Sequence, residues 1–147
     1  MLHATCLAIG GQGVLLLGAS GTGKSDLALR LIDQPGLGVN GTLKTAVLVS
    51  DDQVLIRCRG TRLTATAPPS IAGKMEVRGL GIVTLPICPS VDLALAVQFA
   101  ATRDIERLPD PDSFAILGCA LPRILLDPAS ASAPARVRAA LDWLGRR

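Results

Sequence analysis

Gly18-Ala19-Ser20-Gly21-Thr22-Gly23-Lys24-Ser25 is a complete GxxxxGK[ST] run, a pattern whose chemistry is the cradling of phosphate groups. Glycines let backbone N–H groups turn toward phosphate oxygens without a Cβ in the way, and a following helix adds partial positive charge at the same place. Lys24 can reach the outer phosphates, and Ser25 can place its hydroxyl on a magnesium ion. The expected ligand is a nucleoside triphosphate. Further along, Ser50-Asp51-Asp52 ends an apolar stretch with two adjacent acids. One acid can steady a metal or water while the other accepts a proton, and their mutual repulsion raises the proton affinity of one of them. The segment alone reads equally well as an acidic turn capping a strand. Glu76 and Arg78 precede a Gly79-Leu80-Gly81 bend, where both charges would sit on a loop able to approach a ligand, or would form a plain ion pair on a hairpin. His3, the only histidine, and Arg107 each read in isolation as solvated charges.

These residues need elements to place them. The apolar run Val14–Leu17 predicts a strand feeding the glycine run, and Asp26–Ile32 predicts a helix ending near Asp33, before Pro35 and Gly36. Strands are expected at Cys6–Ile9, Ala46–Val49, Val54–Cys58, Arg62–Ala67, Ile82–Ile87, Val91–Val97 and Arg123–Leu126. Gln34–Thr45, with three glycines and a proline, predicts an exposed, mobile loop, and the charges and prolines of Arg103–Ser113 predict a surface loop. Pro134 opens a final helix with Val137, Leu141 and Leu144 on one face. Many strands and two helices predict an α/β fold: a mixed β-sheet with few helices carrying a phosphate-binding loop, organised as one domain over residues 1–147.

Composition narrows the function classes. At 147 residues and 49% hydrophobic, the chain is long enough to bury a real core. Only 2% of residues are aromatic and the net charge is +3, so neither base-stacking platforms nor a nucleic-acid or membrane-surface patch is indicated. Cys6, Cys58, Cys88 and Cys119 are widely spaced, which argues against zinc and predicts small structural side chains in a reducing cytoplasm. No export signal or membrane span is apparent in the sequence, and a soluble cytoplasmic protein is expected.

Taken in order, these segments resemble the catalytic domain of the HPr kinase/phosphorylase family. That family has a histidine fifteen residues before the first loop glycine, a GDSGxGKS loop, a strand ending in Ala-Asp-Asp, the signature Glu-Ile-Arg-Gly-Leu-Gly-Ile and a later Asp-Arg-Leu. Here these are matched by His3, Gly18–Ser25, Ser50-Asp51-Asp52, Glu76–Ile82 and Glu106-Arg107-Leu108. The resemblance implies ATP-dependent phosphorylation of a serine on HPr or an HPr-like phosphocarrier, with Mg2+. It implies Asp52 as proton acceptor for the serine hydroxyl, Lys24 on the transferred phosphate, Ser25 and Glu76 as magnesium ligands, and His3 and Arg107 at the remaining catalytic positions. It also implies a nucleotide site like that of phosphoenolpyruvate carboxykinases, and a homohexamer.

Departures from the family pattern are specific. The chain reads as a short form without the family's N-terminal regulatory domain, Ala19 replaces an aspartate and Glu106 another, and Gln34–Thr45 holds an insertion. The family's Pro-Val-Arg-Pro-Gly-Arg loop is replaced by Leu126-Asp127-Pro128-Ala129-Ser130-Ala131-Ser132. Without those two arginines, bidentate phosphate recognition is lost there, which predicts a kinase and argues against the reverse phosphorylase activity. Two rival readings are a non-catalytic ATP-binding regulator and a small-molecule kinase using the same nucleotide site.

Overall fold

A computed structural model describes residues 1–145. In chain order the elements are β1 (Leu2–His3), β2 (Thr5–Ile9), β3 (Gln12–Leu17), α1 (Lys24–Asp33), β4 (Ala46–Ser50), β5 (Gln53–Arg59), β6 (Arg62–Thr66), β7 (Lys74–Val77), β8 (Gly81–Thr84), β9 (Val91–Phe99), β10 (Ser113–Ile116), β11 (Cys119–Leu126) and α2 (Ala133–Leu144). A nine-stranded sheet runs β1-β5-β6-β9-β3-β2-β4, with β11 also on β9 and β10 on β11; β7 and β8 form a separate ribbon. The sheet is mixed: β3, β9 and β11 are mutually parallel, and the other pairs are antiparallel.

Both faces of the central strands are buried, which is why β2 and β3 read as nearly unbroken apolar runs rather than alternating ones. Leu7, Ile9, Val14, Leu16 and Val97 face the two helices, which contribute Leu27, Leu31, Val137 and Leu141. Cys6, Ala8, Leu15, Leu17 and Ala96 face the other way, onto Val54, Leu63 and Leu121. Helix α1 forms because its apolar residues Leu27, Ala28 and Leu31 share one stripe; Asp26 and Arg30 (3.1 Å) pair across one turn of its outer side. Helix α2 buries Val137 and Leu141 as its spacing predicts, with Leu144 packed at the margin. Among the described residues no helix is long and apolar enough to cross a membrane.

Three expectations change. Glu76 lies on a strand, paired with Ile82, and only Arg78–Leu80 form the bend. The loop expected at Arg103–Ser113 is followed by a strand that was not expected, because Ser113–Ile116 pairs with Cys119–Pro122 as a hairpin. Its turn is Leu117-Gly118, both at positive φ (50° and 77°). A leucine in that conformation conceals the turn, since asparagine or aspartate is the usual marker. Gln34–Thr45 is exposed but fastened. Gly36 and Lys44 bridge its ends, and Asp142 of α2 accepts the Val39 and Asn40 N–H groups (2.9 and 3.2 Å) and the Lys44 ammonium (2.9 Å). Burial alone would push the Asp142 carboxyl up, yet the Lys44 ammonium and the two backbone donors hold it below the ordinary carboxylate value. Arg138, almost fully buried, donates to the carbonyls of Lys44 (3.2 Å) and Leu31 (2.8 Å), tying the loop to α1 as well.

Candidate active site

Because β3, β9 and β11 run parallel, their C-terminal ends open on one edge of the sheet, where ligands of such folds collect. The three following loops meet there. The glycine-rich loop follows β3, Ala100–Asp112 follows β9, and Asp127–Ser132 follows β11. Gly18 leaves no room for a side chain unless its neighbours shift: a Cβ would stand 2.7 Å from Thr22 Oγ1 and 3.2 Å from the Phe99 ring. The Arg30 guanidinium donates to the Pro128 carbonyl, locking α1 to the last of these loops.

Lys24 is nearly buried at the centre of the glycine-rich loop, its Nζ donating to the carbonyls of Gly18 (2.8 Å) and Ala19 (3.1 Å). Ser25 follows at the start of α1, and its hydroxyl donates to both oxygens of Asp51 (2.9 and 3.0 Å). Asp51 is buried and also accepts from Thr5 Oγ1 (2.9 Å). The acid pair is divided by the bend that follows β4. Asp51 is turned in toward Thr5 and Ser25, on the helix side of the sheet, whereas Asp52 points out with a side chain 64% exposed. Asp52 adopts φ +68°, in the left-handed region that costs free energy outside glycine and recurs at functional sites.

His3 connects that exposed carboxylate to the glycine-rich loop. Its Nδ1 stands 3.5 Å from Asp52 Oδ1, and its Nε2 stands 3.3 Å from Ser20 Oγ. With the proton on Nδ1 the ring faces the carboxylate with a donor and accepts the Ser20 hydroxyl on Nε2. Strand β1 places His3 by pairing with β5 (His3 opposite Gln53), one residue beyond Asp52. The structure thus brings His3, Ser20, Lys24, Ser25, Asp51 and Asp52 to one edge. The remaining loop positions, Ala19, Gly21, Thr22 and Gly23, complete the turn, with Thr22 Oγ1 donating to the Ala19 carbonyl.

Arg107 makes none of those contacts; it lines a cavity of about 400 Å3 with Thr102, Glu106, Asp127, Ser130 and Arg136. Asp127 shapes its wall by accepting from the Thr102 hydroxyl (2.7 Å), the Ala129 N–H (3.0 Å) and the Thr102 N–H (3.1 Å). Those donors, the Thr102 hydroxyl foremost, hold its carboxyl below the ordinary range. Glu76 is exposed on β7, on the side opposite the buried Met75, and no hydrogen bond or ion pair joins it to Ser25 or Asp51. Thr5 is the partner that the sequence did not point to, and it gave no signal at all. Ser20 was expected as part of the phosphate loop, but its pairing with His3 was not.

A family model, HPr Serine kinase C-terminal domain, matches residues 1–127. The chain belongs to this family. It is 34% identical over 135 residues to the HPr kinase/phosphorylase of Limosilactobacillus reuteri, covering 84% of this chain and 39% of that protein. To the HPr kinase/phosphorylase of Cupriavidus metallidurans it is 35% identical over 128 residues, 80% of this chain and 36% of the relative. The chain therefore spans less than two fifths of the length of these relatives. A solved structure of the Hpr(Ser) kinase/phosphatase from Coxiella burnetii superposes with a TM-score of 0.78 at 25% identity, over 99% of this chain and 95% of that one. The matched family region contains the whole cluster from His3 to Asp52, together with Glu76, Arg107 and Asp127.

Proposed function

We propose that this chain transfers a phosphoryl group from ATP, with Mg2+, to a serine hydroxyl of an HPr-like phosphocarrier protein. The observation that carries this reading is the convergence at one sheet edge of Lys24, the Ser25–Asp51 pair and the Ser20–His3–Asp52 chain. The glycine-rich loop is read as a P-loop whose N–H groups, with the start of α1, hold the phosphates. Lys24 exchanges its carbonyl partners for the outer phosphates. A nucleotide site of the phosphoenolpyruvate carboxykinase kind is proposed on the family resemblance.

Ser25 and Asp51 offer hard oxygen donors already within hydrogen-bond distance of each other, the donor type Mg2+ prefers. Mg2+ usually keeps several waters and takes its other ligands from phosphates, so two protein donors suffice. When bound, the metal supplies neutralisation of charge on the transferred group. Glu76 is assigned a place among its ligands by resemblance only. Asp52 is exposed enough to meet a hydroxyl presented by another protein and accepts its proton, while His3 keeps the carboxylate oriented toward the glycine-rich loop. Arg107 is proposed to stabilise charge from the neighbouring cavity. The Asp127–Ser132 loop carries no arginine, so transfer toward the carrier is the proposed direction.

Residues 1–147 are proposed to form one catalytic domain acting in the cytoplasm. Homohexamer assembly is proposed with it; the exposed Leu80 and Ile82 of the β7–β8 ribbon are apolar surface suited to a subunit contact. The test is purified protein with Mg-ATP and an HPr-like carrier, read as one added phosphoryl mass on a carrier serine. Lys24→Ala and Asp52→Ala should each abolish transfer. Activity surviving both substitutions overturns the assigned mechanism, and nucleotide binding without transfer to any carrier identifies a regulator instead.

A further inference from the structure

Two hairpins join the main sheet through different stretches of one strand. β6, of the β5–β6 hairpin, pairs with Val91 and Asp92 at the start of β9, and β11, of the β10–β11 hairpin, pairs with Ala96–Phe99 at its end. No ladder runs between the two hairpins. Where they touch, Cys58 of β5 meets Cys119, the first residue of β11, with sulfurs 2.7 Å apart. Both thiols also reach the carbonyl of Gly60 (3.2 and 3.4 Å), which fixes them side by side. Gly60 starts the β5–β6 turn at φ +64°, a conformation glycine adopts at no steric cost, so the turn holds its carbonyl in place. Both cysteines are partly exposed, whereas Cys6 is wholly buried and its thiol is pushed up by that burial. Cys88 donates to the Ser90 carbonyl (3.2 Å).

From this geometry we infer that Cys58 and Cys119 form a reversible disulfide that fastens the two hairpins together. The oxidant is a small disulfide such as oxidised glutathione. The thiolate of one cysteine attacks it, forming a mixed disulfide and expelling one glutathione thiolate. The second cysteine's thiolate then attacks the mixed disulfide at the protein sulfur and expels the other. The two cysteines lose two electrons and two protons, and both are recovered in two glutathione thiols. A disulfide bond of about 2.05 Å needs only a small approach of sulfurs already in contact. The cysteines lie 61 residues apart, so the link closes a long loop of the unfolded chain. It should lower the unfolding equilibrium constant by up to about a thousandfold. Cys58 is at the end of β5 remote from Asp52, and Cys119 at the end of β11 remote from Asp127, so the link leaves the phosphate-binding edge unchanged. This inference is independent of the proposed kinase activity.

The test incubates the folded, reduced protein with oxidised glutathione, then counts free thiols after denaturation and maps the linked peptides. Two of the four thiols should disappear, the Cys58 and Cys119 peptides should be joined, and the urea midpoint should rise and fall back on adding a reductant. Cys58→Ser and Cys119→Ser should each prevent the link and the rise. Persistence of all four thiols, stable glutathione adducts, a link between other cysteines, or a link that leaves the midpoint unmoved would each overturn the inference.

Discussion

Asp142→Ala removes the acceptor on which one whole face of the 34–45 loop is hung. The carboxylate takes three donors: the Lys44 ammonium at 2.9 Å, Val39 N–H at 2.9 Å and Asn40 N–H at 3.2 Å. Its side chain is 4% exposed and that of Lys44 9%, so water replaces little of what is lost. Removing one member of a buried pair typically costs about 3–5 kcal/mol. Two features place this case at the lower end. Lys44 retains the carbonyls of Leu37 (3.2 Å) and Thr42 (3.1 Å) as acceptors. Asp142 also sits in the last turn of α2, where a negative charge opposes the helix dipole by about 0.3–1 kcal/mol.

A loss of about 3 kcal/mol is expected. With an unfolding entropy of about 2.1 cal/mol/K per residue, a chain of 147 residues should then melt about 10 °C lower. Thermal and urea unfolding measure it, and amide exchange at Val39 and Asn40 should accelerate in the same variant. The pair Lys44→Met with Asp142→Leu should recover the part of the loss that comes from the stranded Lys44 charge, because an apolar pair leaves no buried charge, but not the part from the Val39 and Asn40 N–H groups. A shift below about 1 kcal/mol in the single variant, or a double variant as unstable as the two singles summed, would refute this account of the loop.

Acid should unfold the protein through the same carboxylate and two others. Asp142, Asp127 and Asp112 are all held below the ordinary value of 3.8, Asp112 chiefly by the hydrogen bond from Arg123. Groups depressed in the folded state stabilise it above the unfolded value and lose that contribution as pH falls through the folded one. The urea midpoint should therefore be flat near neutrality and drop below about pH 4, and the drop should be shallower in Asp142→Ala. Gly18→Ala drives a methyl against Thr22 Oγ1 and Phe99; nucleotide affinity, measured by calorimetry, should fall at least tenfold while the melting temperature moves by only a few degrees. Asp51→Asn weakens the acceptor of Ser25 and Thr5, and should raise the Mg2+ concentration needed for nucleotide binding about 10–100-fold, leaving metal-free nucleotide affinity little changed.

The elements nearest the glycine-rich loop were legible because their rules act over a few residues. The glycine spacing, the apolar run before it, the Leu27–Leu31 stripe after it and Pro134 opening α2 each specify their own local geometry. The β10–β11 hairpin was not legible, since Leu117 hides a turn that only the pairing on both sides makes worthwhile. Nor was the strand under Glu76, whose Gly-rich surroundings read as loop until Ile82 is placed opposite it.

What the amino-acid order settled alone was the list of chemically able residues and the family to which they point. The fold decided their partnerships. Nothing local distinguishes Asp51 from Asp52; the bend after β4, with Asp52 at φ +68°, turns one inward to Ser25, 26 residues away, and leaves the other beside His3. His3 reaches Ser20 across 17 residues, Asp142 fastens a loop about a hundred residues upstream, and Cys58 finds Cys119. Such contacts depend on which strands lie side by side and in what register, a choice made by burying both faces of the sheet at once, so no single segment contains it.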